Sequence, residues 1–474
     1  MIVVKKIIVF VILANLLTVF GSNVKGNNNF SNDRLLDERK STNPSKKPNV
    51  ILFVSDDHGW SDSGVYGDTY IKTPNIDRLA EESMLFTHAF AATPLCTPSR
   101  CVIATGLMPH RNGGHKFATP IKASVKTMPE YMKELGYYTA HFGKFDHRPH
   151  NQFPYDYIHR NVNLAADFLN TYNEEKPLLL VVCTHAPHTP WIKNVTYDPL
   201  KIKLPPNFID TPETRADRAN YYSDVTLMDS ILGNGLDAVD SRGVSKNSLF
   251  IYTSDQGANW PFAKWCVYDG GLRVPFIARW PGKIASGSET NAMASLVDVL
   301  PTIIDASGGR VPKDIDGRSL LPVLKQEQTK HRTVVFGTHT GNENGGPGVA
   351  NHCPARTIRT STHRYILNFS PDTTFTTHIT GCKSGPHYLP HWDFWIEKVK
   401  TDTEAKNIVE KYQHRPKEEL YDIVKDPFEM NNLAGNPELS KLLRSFRKQL
   451  AQWSITQGDT LLLKQLTKMK EHEM

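Results

Sequence analysis

Three apolar runs in this chain share one shape: a short stretch of β-branched, leucine and aromatic residues that ends abruptly in polar ones. Asn49–Ser55 (NVILFVS) runs into Asp56, Asp57 and His58. Leu178–Cys183 (LLLVVC) runs into Thr184, His185 and His188, and Leu249–Ser254 (LFIYTS) into Asp255, Gln256 and Gly257. Near-continuous apolar strands predict a parallel sheet buried on both faces. In such sheets ligands bind beyond the carboxyl ends of the strands, so three polar groups far apart in sequence are expected to converge there.

Helical patterns alternate with these strands to about residue 325. Thr73 is placed to cap a helix and Pro74 suits its first turn, with Ile76, Leu79, Ala80 and Met84 on one apolar face. Pro98 and Ser99 are expected to start another, carrying Cys101, Val102 and Ala104 in its first turns. Residue 96 then sits just before a helix N-terminus, where backbone N–H groups favour an anion. Further on, Thr333–Phe336, Ala355–Arg359 and Arg364–Phe369 predict a small antiparallel sheet. Asn436 and Pro437 open a terminal helix whose stripe of Leu439, Leu442, Leu443, Phe446, Leu450 and Trp453 packs onto the domain. The expected fold is α/β: a large, mostly parallel sheet between helices plus a smaller C-terminal antiparallel sheet. The expected division is a catalytic domain over 48–330 and a C-terminal subdomain over 331–474.

A length of 474 residues exceeds one simple core. The net charge of +6 is spread along the chain with no basic run, which argues against nucleic acid, while a modest positive bias suits a polyanionic substrate. Lys5 and Lys6, the apolar run Ile7–Phe20, and Gly21 and Ser22 follow the order of a secretory signal, expected over residues 1–22. The apolar run is short for a bilayer, so no stable membrane anchor is expected. Residues 23–47, rich in Asn, Ser, Lys and Asp, read as a disordered linker. Secretion permits disulfides, and Cys353 with Cys382 is the expected pair among six cysteines.

Adjacent carboxylates at Asp56 and Asp57 are costly unless a cation lies between them. Asp255 and Gln256 add two oxygens at another strand end. Four oxygen ligands with no paired Cys or His suit a hard cation, Ca²⁺ rather than Zn²⁺. In His-Ala-Pro-His, a histidine at a strand end can donate a proton to a departing alkoxide. A metal-ligand role for this pair needs further nitrogen or sulfur partners, and none lies nearby in sequence. His339, Arg356 and Arg359 are candidate contacts to a second anionic group, with surface roles as the alternative. Tyr388, Trp392, Phe394 and Trp395 are a candidate sugar-stacking rim, with core packing as the alternative.

Residues 96–106, CTPSRCVIATG, resemble the maturation motif of the type I sulfatases. In that family an enzyme oxidises the cysteine to formylglycine, an aldehyde whose hydrate attacks the sulfur of a sulfate ester. Residues 136–145, GYYTAHFGKF, resemble the family's second motif, and ELYDIVKDPFEMNNLA its C-terminal segment. The resemblance implies an alkaline-phosphatase-like fold and a set of roles. Cys96 becomes formylglycine and joins Asp56, Asp57, Asp255 and Gln256 around one Ca²⁺, although the family usually has Asn or Asp where Gln256 stands. Arg100 holds the hydrate, and Lys144 and Lys264 bind sulfate oxygens. His185 is the general acid and His188 touches the sugar. Most relatives place the base for sulfate elimination two residues after the second-motif lysine, where this chain has Asp146. His147, Asp146 and His150 compete for that role. His147 is preferred, because a loop can absorb one residue and a carboxylate facing sulfate is unfavourable.

The runs ADRANYYSDVTLM, DIDGRSLLPVL and FGTHT with ARTIRTSTHRYILNF look most like the sulfamidase (heparan N-sulfatase) branch and bacterial polysaccharide sulfatases such as ulvan-active ones. This implies a secreted, most simply periplasmic, enzyme that cleaves sulfate esters or sulfamates on polysaccharides or oligosaccharides. Ulvan and glycosaminoglycan fragments are the candidate substrates. Its partners would be the sulfated carbohydrate and the formylglycine-generating enzyme. The rivals are a phosphonate monoester hydrolase or phosphodiesterase on the same scaffold, and a non-catalytic sugar-binding homologue. The intact CTPSR run argues against the second, since a binder has no need of an oxidation motif.

Overall fold

In chain order the strands are β1 (Asn49–Ser55), β2 (Met84–Phe90), β3 (Tyr138–Gly143), β4 (Tyr157–His159), β5 (Leu178–Cys183), β6 (Ser248–Ser254), β7 (Arg273–Arg279), β8 (Ser288–Thr290) and β9 (Ala294–Ser295). The C-terminal part adds β10 (Val335–His339), β11 (Ala355–Arg359), β12 (His363–Asn368) and β13 (Glu418–Asp422). The structure is a computed structural model and describes residues 47–144, 152–173, 175–193, 196–341 and 353–464. The expected signal segment, nearly all of the expected linker, and Asp146, His147 and His150 lie outside the described residues.

The first nine strands form one sheet in the order β4-β3-β5-β1-β6-β7-β2-β8, with β9 also on β2. Among them β7 alone runs against its neighbours. The three apolar runs are adjacent at its centre: Leu52 of β1 stands opposite Val181 of β5 and Ile251 of β6. Alternate side chains feed different cores, Val50, Leu52 and Val54 into one and Ile51 and Phe53 into the other. Burial on both faces explains why these strands read as unbroken apolar runs. Because β5, β1 and β6 are parallel, their three polar ends emerge at one edge of the sheet.

The second core lies partly under a long helix, Pro212–Ser241, started by Thr211, whose hydroxyl accepts from the Thr214 N–H at 3.1 Å. The smaller sheet has the order β10-β11-β12-β13, antiparallel throughout. The terminal helix Ser440–Gln457 places Leu443, Phe446, Leu450 and Trp453 on Ile358, Tyr365, Leu367 and Leu420 of that sheet. Asn436 caps the turn leading into it, accepting from the Glu438 N–H at 3.0 Å. Both sheets belong to one compact unit.

Some boundaries differ from expectation. The first helix is Pro74–Glu81, and Met84 opens β2 instead of extending the helical face. The next spans Cys96–Thr105, two residues earlier than Pro98 suggested. Its first turn tolerates Pro98, because first-turn N–H groups have no partner within the helix. The small sheet has a fourth strand, β13, inside the run read only as a family segment. The expected Cys353–Cys382 disulfide is not formed: Cys382 is a thiol donating to the Ser384 carbonyl at 3.1 Å.

Candidate active site

The edge where β5, β1 and β6 end carries the predicted groups. Asp56 and Asp57 follow β1 directly, and both are fully buried. Asp57 adopts φ +69°, a region non-glycine residues seldom occupy, so its placement is imposed by its surroundings. Its N–H donates to Asp255 Oδ1 at 3.3 Å, which ties the ends of β1 and β6 together. Gln256 donates its side-chain amide to Asp57 Oδ1 at 2.5 Å.

Three cations meet these carboxylates. Arg100, on the first turns of the helix Cys96–Thr105, sits 2.9 Å from Asp255 through both Nε and Nη2, and its Nη2 is 3.8 Å from Asp56. The Ser99 hydroxyl, which sequence reasoning left out, donates to the Asp255 carbonyl at 2.5 Å and fastens the same helix to the β6 end. Lys264 reaches Asp57 at 2.7 Å. Lys144 contacts Asp56. It follows Gly143, whose φ is +89° and where an added Cβ would stand 2.0 Å from the Cys183 carbonyl oxygen. Glycine is therefore required there for Lys144 to leave the sheet toward Asp56.

Cys96 is the first residue of its helix and is buried. The Trp265 N–H donates to the Pro94 carbonyl at 3.1 Å, so the loop carrying Lys264 is held against the one carrying Cys96. His188 lies deeper than expected. Its Nδ1 donates to the Thr189 carbonyl at 2.5 Å, and its Nε2 stands 3.9 Å from Asp57. Ligand atoms of Asp56, Asp57 and His188 fall within 4.8 Å of one another, so this imidazole borders the carboxylate cluster. His185 is exposed, with its ring edge-on to His188 at 4.8 Å.

Electrostatics separate the three carboxylates. Burial opposes ionisation of Asp56, but Lys144, His188, Arg100 and Lys264 together hold it well below the usual carboxylate range. Burial pushes Asp57 up, with Lys264 opposing and Asp56 adding to the rise. Burial and the charge of Asp56 push Asp255 well above its ordinary value. For Lys264, burial is outweighed by Asp57, and its pKa rises. Burial and then Lys264 depress the His188 imidazole.

The donor set fits a hard cation. Asp56 Oδ1 and Gln256 Oε1 are buried acceptors with no hydrogen-bond donor among the described residues. An unmet buried acceptor costs about 1–3 kcal/mol, and two such oxygens in this cluster suit a cation with oxygen preference.

Three predicted substrate contacts and the aromatic rim sit differently. Arg356 is fully buried with no surface for a ligand. It pairs with Asp459 at 2.5 Å and donates to the His339 carbonyl at 2.7 Å, because a buried guanidinium requires a carboxylate. His339 is buried behind Trp265, with ring centroids 6.2 Å apart. Arg359 pairs with Asp269 inside the protein. Trp392 and Trp395 are core residues, while Tyr388 is half-buried and Phe394 is exposed. In their place the C-terminal part brings two histidines to the site that sequence reasoning missed, His387 beside His188 and His378 beside Trp265.

Similarity to known proteins agrees with this geometry. The sulfatase family profile matches residues 48–157 and 146–309, and the profile described as N-sulphoglucosamine sulphohydrolase, C-terminal, matches residues 257–375. The chain is 32% identical over 443 residues to an ulvan-active sulfatase of Formosa agariphila, covering 89% of this chain and 83% of that protein. It is 28% identical over 471 residues to the human N-sulphoglucosamine sulphohydrolase, covering 85% and 89%. A structure solved in complex with its substrate D-glucosamine-2-N,6-O-disulfate superposes with a TM-score of 0.66 at 22% identity, covering 87% of this chain and 99% of that one. The chain belongs to the sulfatase family and is a sulfuric ester hydrolase on the alkaline-phosphatase-like fold.

Proposed function

We propose that this enzyme removes sulfate from a sulfated polysaccharide or oligosaccharide, as an ester or a sulfamate, with ulvan or glycosaminoglycan fragments as the substrate class. The observation that carries the reading is the meeting of Arg100, Lys144 and Lys264 with Asp56, Asp57 and Asp255 beside Cys96. Three fixed cations around one buried point suit the oxygens of a sulfuryl group. The similarity to a sulfatase acting on ulvan and to a sulfohydrolase acting on N-sulphoglucosamine supports a sugar as the leaving group.

Cys96 is read as the site of oxidation to formylglycine, which supplies the nucleophilic oxygen that a thiol lacks. Asp56, Asp57, Asp255 and Gln256, with residue 96, would hold one Ca²⁺, which supplies positive charge against the sulfuryl oxygens. The chain's own side chains do the rest. Lys144 and Lys264 bind and orient the sulfuryl oxygens and offset the charge that develops on them. Arg100, locked by Asp255, holds residue 96 in line with the sulfur. His185, exposed at the mouth, delivers a proton to the departing sugar oxygen or nitrogen. The base that completes sulfate release is assigned to His147.

The N-terminal apolar run supports secretion, with the periplasm as the destination; among the described residues no helix is long and apolar enough to cross a membrane. The test is co-expression with a formylglycine-generating enzyme, followed by sulfate release from ulvan oligosaccharides, heparan fragments and D-glucosamine-2-N,6-O-disulfate. An aryl sulfate and an aryl phosphate run alongside. Sulfate release from a saccharide is expected. Faster turnover of the phosphate would assign the scaffold to phosphoryl chemistry instead.

A further inference from the structure

A chain of contacts runs outward from the carboxylate cluster, and part of it comes from a C-terminal segment far from every strand of the large sheet. Lys264 binds Asp57 at 2.7 Å, and Asp57 lies 3.9 Å from His188. The ring of His387 meets His188 edge-on, centroids 5.8 Å apart at 89°. His378 lies on Trp265, centroids 5.3 Å apart at 32°, and Trp265 follows Lys264 in the chain. Burial disfavours the protonated ring of His378, and Lys264 and His387 both act on its charge as well.

Both histidines are held in place. His387 Nδ1 is 3.2 Å from the Thr189 hydroxyl, which also receives the Asn259 amide at 3.4 Å. His378 opens a helical turn, His378–Gly381, whose capping residue Thr377 is fixed by reciprocal bonds with Thr380. His387 is exposed and His378 half-buried, so both keep surface open to a ligand.

We propose that His378 and His387 form the sugar-facing wall of the site and determine specificity by hydrogen bonding hydroxyl groups of the saccharide that carries the sulfate. This rests on the saccharide reading above. A neutral imidazole offers one donor and one acceptor, the same pairing a sugar hydroxyl offers. Burial, Lys264 and His387 all favour the neutral form of His378. A site that bonds a hydroxyl favours ligands that carry it over those that lack it, and most where binding of the sugar shuts water away from the imidazole.

The test is His387→Ala and His378→Ala in the mature, metal-loaded enzyme. Activity is measured on the saccharide that the wild type cleaves fastest and on 4-nitrocatechol sulfate. Each variant is expected to raise KM for the saccharide about tenfold, with a smaller change in kcat, and to lower the saccharide-to-aryl ratio of kcat/KM by a similar factor. His387→Gln and His378→Gln, which keep a polar atom near the Nε2 position, should recover much of that ratio. Thermal midpoints identify a variant that has merely lost its fold, and for such a variant the Gln substitution decides. An unchanged saccharide-to-aryl ratio in folded variants overturns the inference. A wild type that cleaves the aryl sulfate but no saccharide overturns the saccharide reading on which the inference rests. A wild type that cleaves neither sulfate overturns the functional reading itself.

Discussion

Gln256 donates its amide to Asp57 at 2.5 Å while its own carbonyl oxygen, fully buried, meets no donor among the described residues. The amide is thus oriented by Asp57 with its acceptor left unmet, as is Asp56 Oδ1 among the described residues. This accommodates the departure from the Asn or Asp expected of a sulfatase, since the extra methylene is taken up within a bonded side chain. Chelation should therefore abolish sulfate release and Ca²⁺ should restore it. Asp57→Ala should lower activity at least about 100-fold with the fold intact, and Gln256→Asn should weaken metal affinity about tenfold. Calcium titration of activity checks both; full activity in a chelated, metal-free sample would contradict the assignment.

Cys96 sits at the first position of a buried helix, against the loop that carries Lys264. Co-expression with the maturation enzyme should convert it to formylglycine, visible by peptide mass as loss of the thiol and gain of an aldehyde. Cys96→Ala should be inactive yet melt like the wild type, since it removes one small buried group. Full activity with Cys96 still a thiol would refute the mechanism.

The centre of the sheet was readable because β1, β5 and β6 are buried on both faces, which turns each into an unbroken apolar run with a polar end. The terminal helix was readable from one stripe and one cap. Other features depend on partners that local sequence does not reveal. Arg356 looks like any candidate anion-binding arginine until Asp459, 103 residues later, closes on it. His387 lies 198 residues from Thr189, and no spacing joins them. β13 was hidden because its residues alternate around charged Glu418 and Glu419, whose partners Arg447, Tyr268 and Asn368 come from elsewhere in the fold. The start of the helix at Cys96 was misjudged by treating Pro98 as its first residue rather than its third.

Asp269 joins the two sheets. It receives Arg359 at 2.9 Å through both Nε and Nη2, and Arg364 as well, all three side chains being buried. Burial opposes its charge, but Arg359 and then Arg364 hold its pKa far below the ordinary value. A depressed carboxylate contributes stability that is fully present above the unfolded pKa of about 3.9 and lost as pH falls through the folded value. Asp269→Asn should cost about 3–5 kcal/mol at pH 7, because it leaves the buried Arg359 guanidinium without its counter-charge and Arg364 with Glu429 alone. The gap between variant and wild type should hold down to about pH 4 and shrink below it. Urea denaturation at pH 7, 5 and 3.5 measures this; a gap that widens on acidification would show that the pair is not what stabilises the junction.

His185 and His188 are neighbours in different surroundings, and leaving-group chemistry can separate the roles proposed for them. His185 is exposed, whereas His188 is fixed to the Thr189 carbonyl at 2.5 Å and borders Asp57 at 3.9 Å. A proton donor matters most when the leaving oxygen is strongly basic. A sugar alkoxide needs the proton, and a nitrocatecholate leaves almost unaided. His185→Ala should therefore lower kcat/KM on a saccharide sulfate by roughly 10²–10⁴-fold, and far less on 4-nitrocatechol sulfate. His188→Ala removes a group beside the carboxylate cluster, so both substrates should suffer alike. Parallel kinetics on the two substrates separate the roles. If His185→Ala affects both equally and His188→Ala discriminates between them, the proton donor is His188.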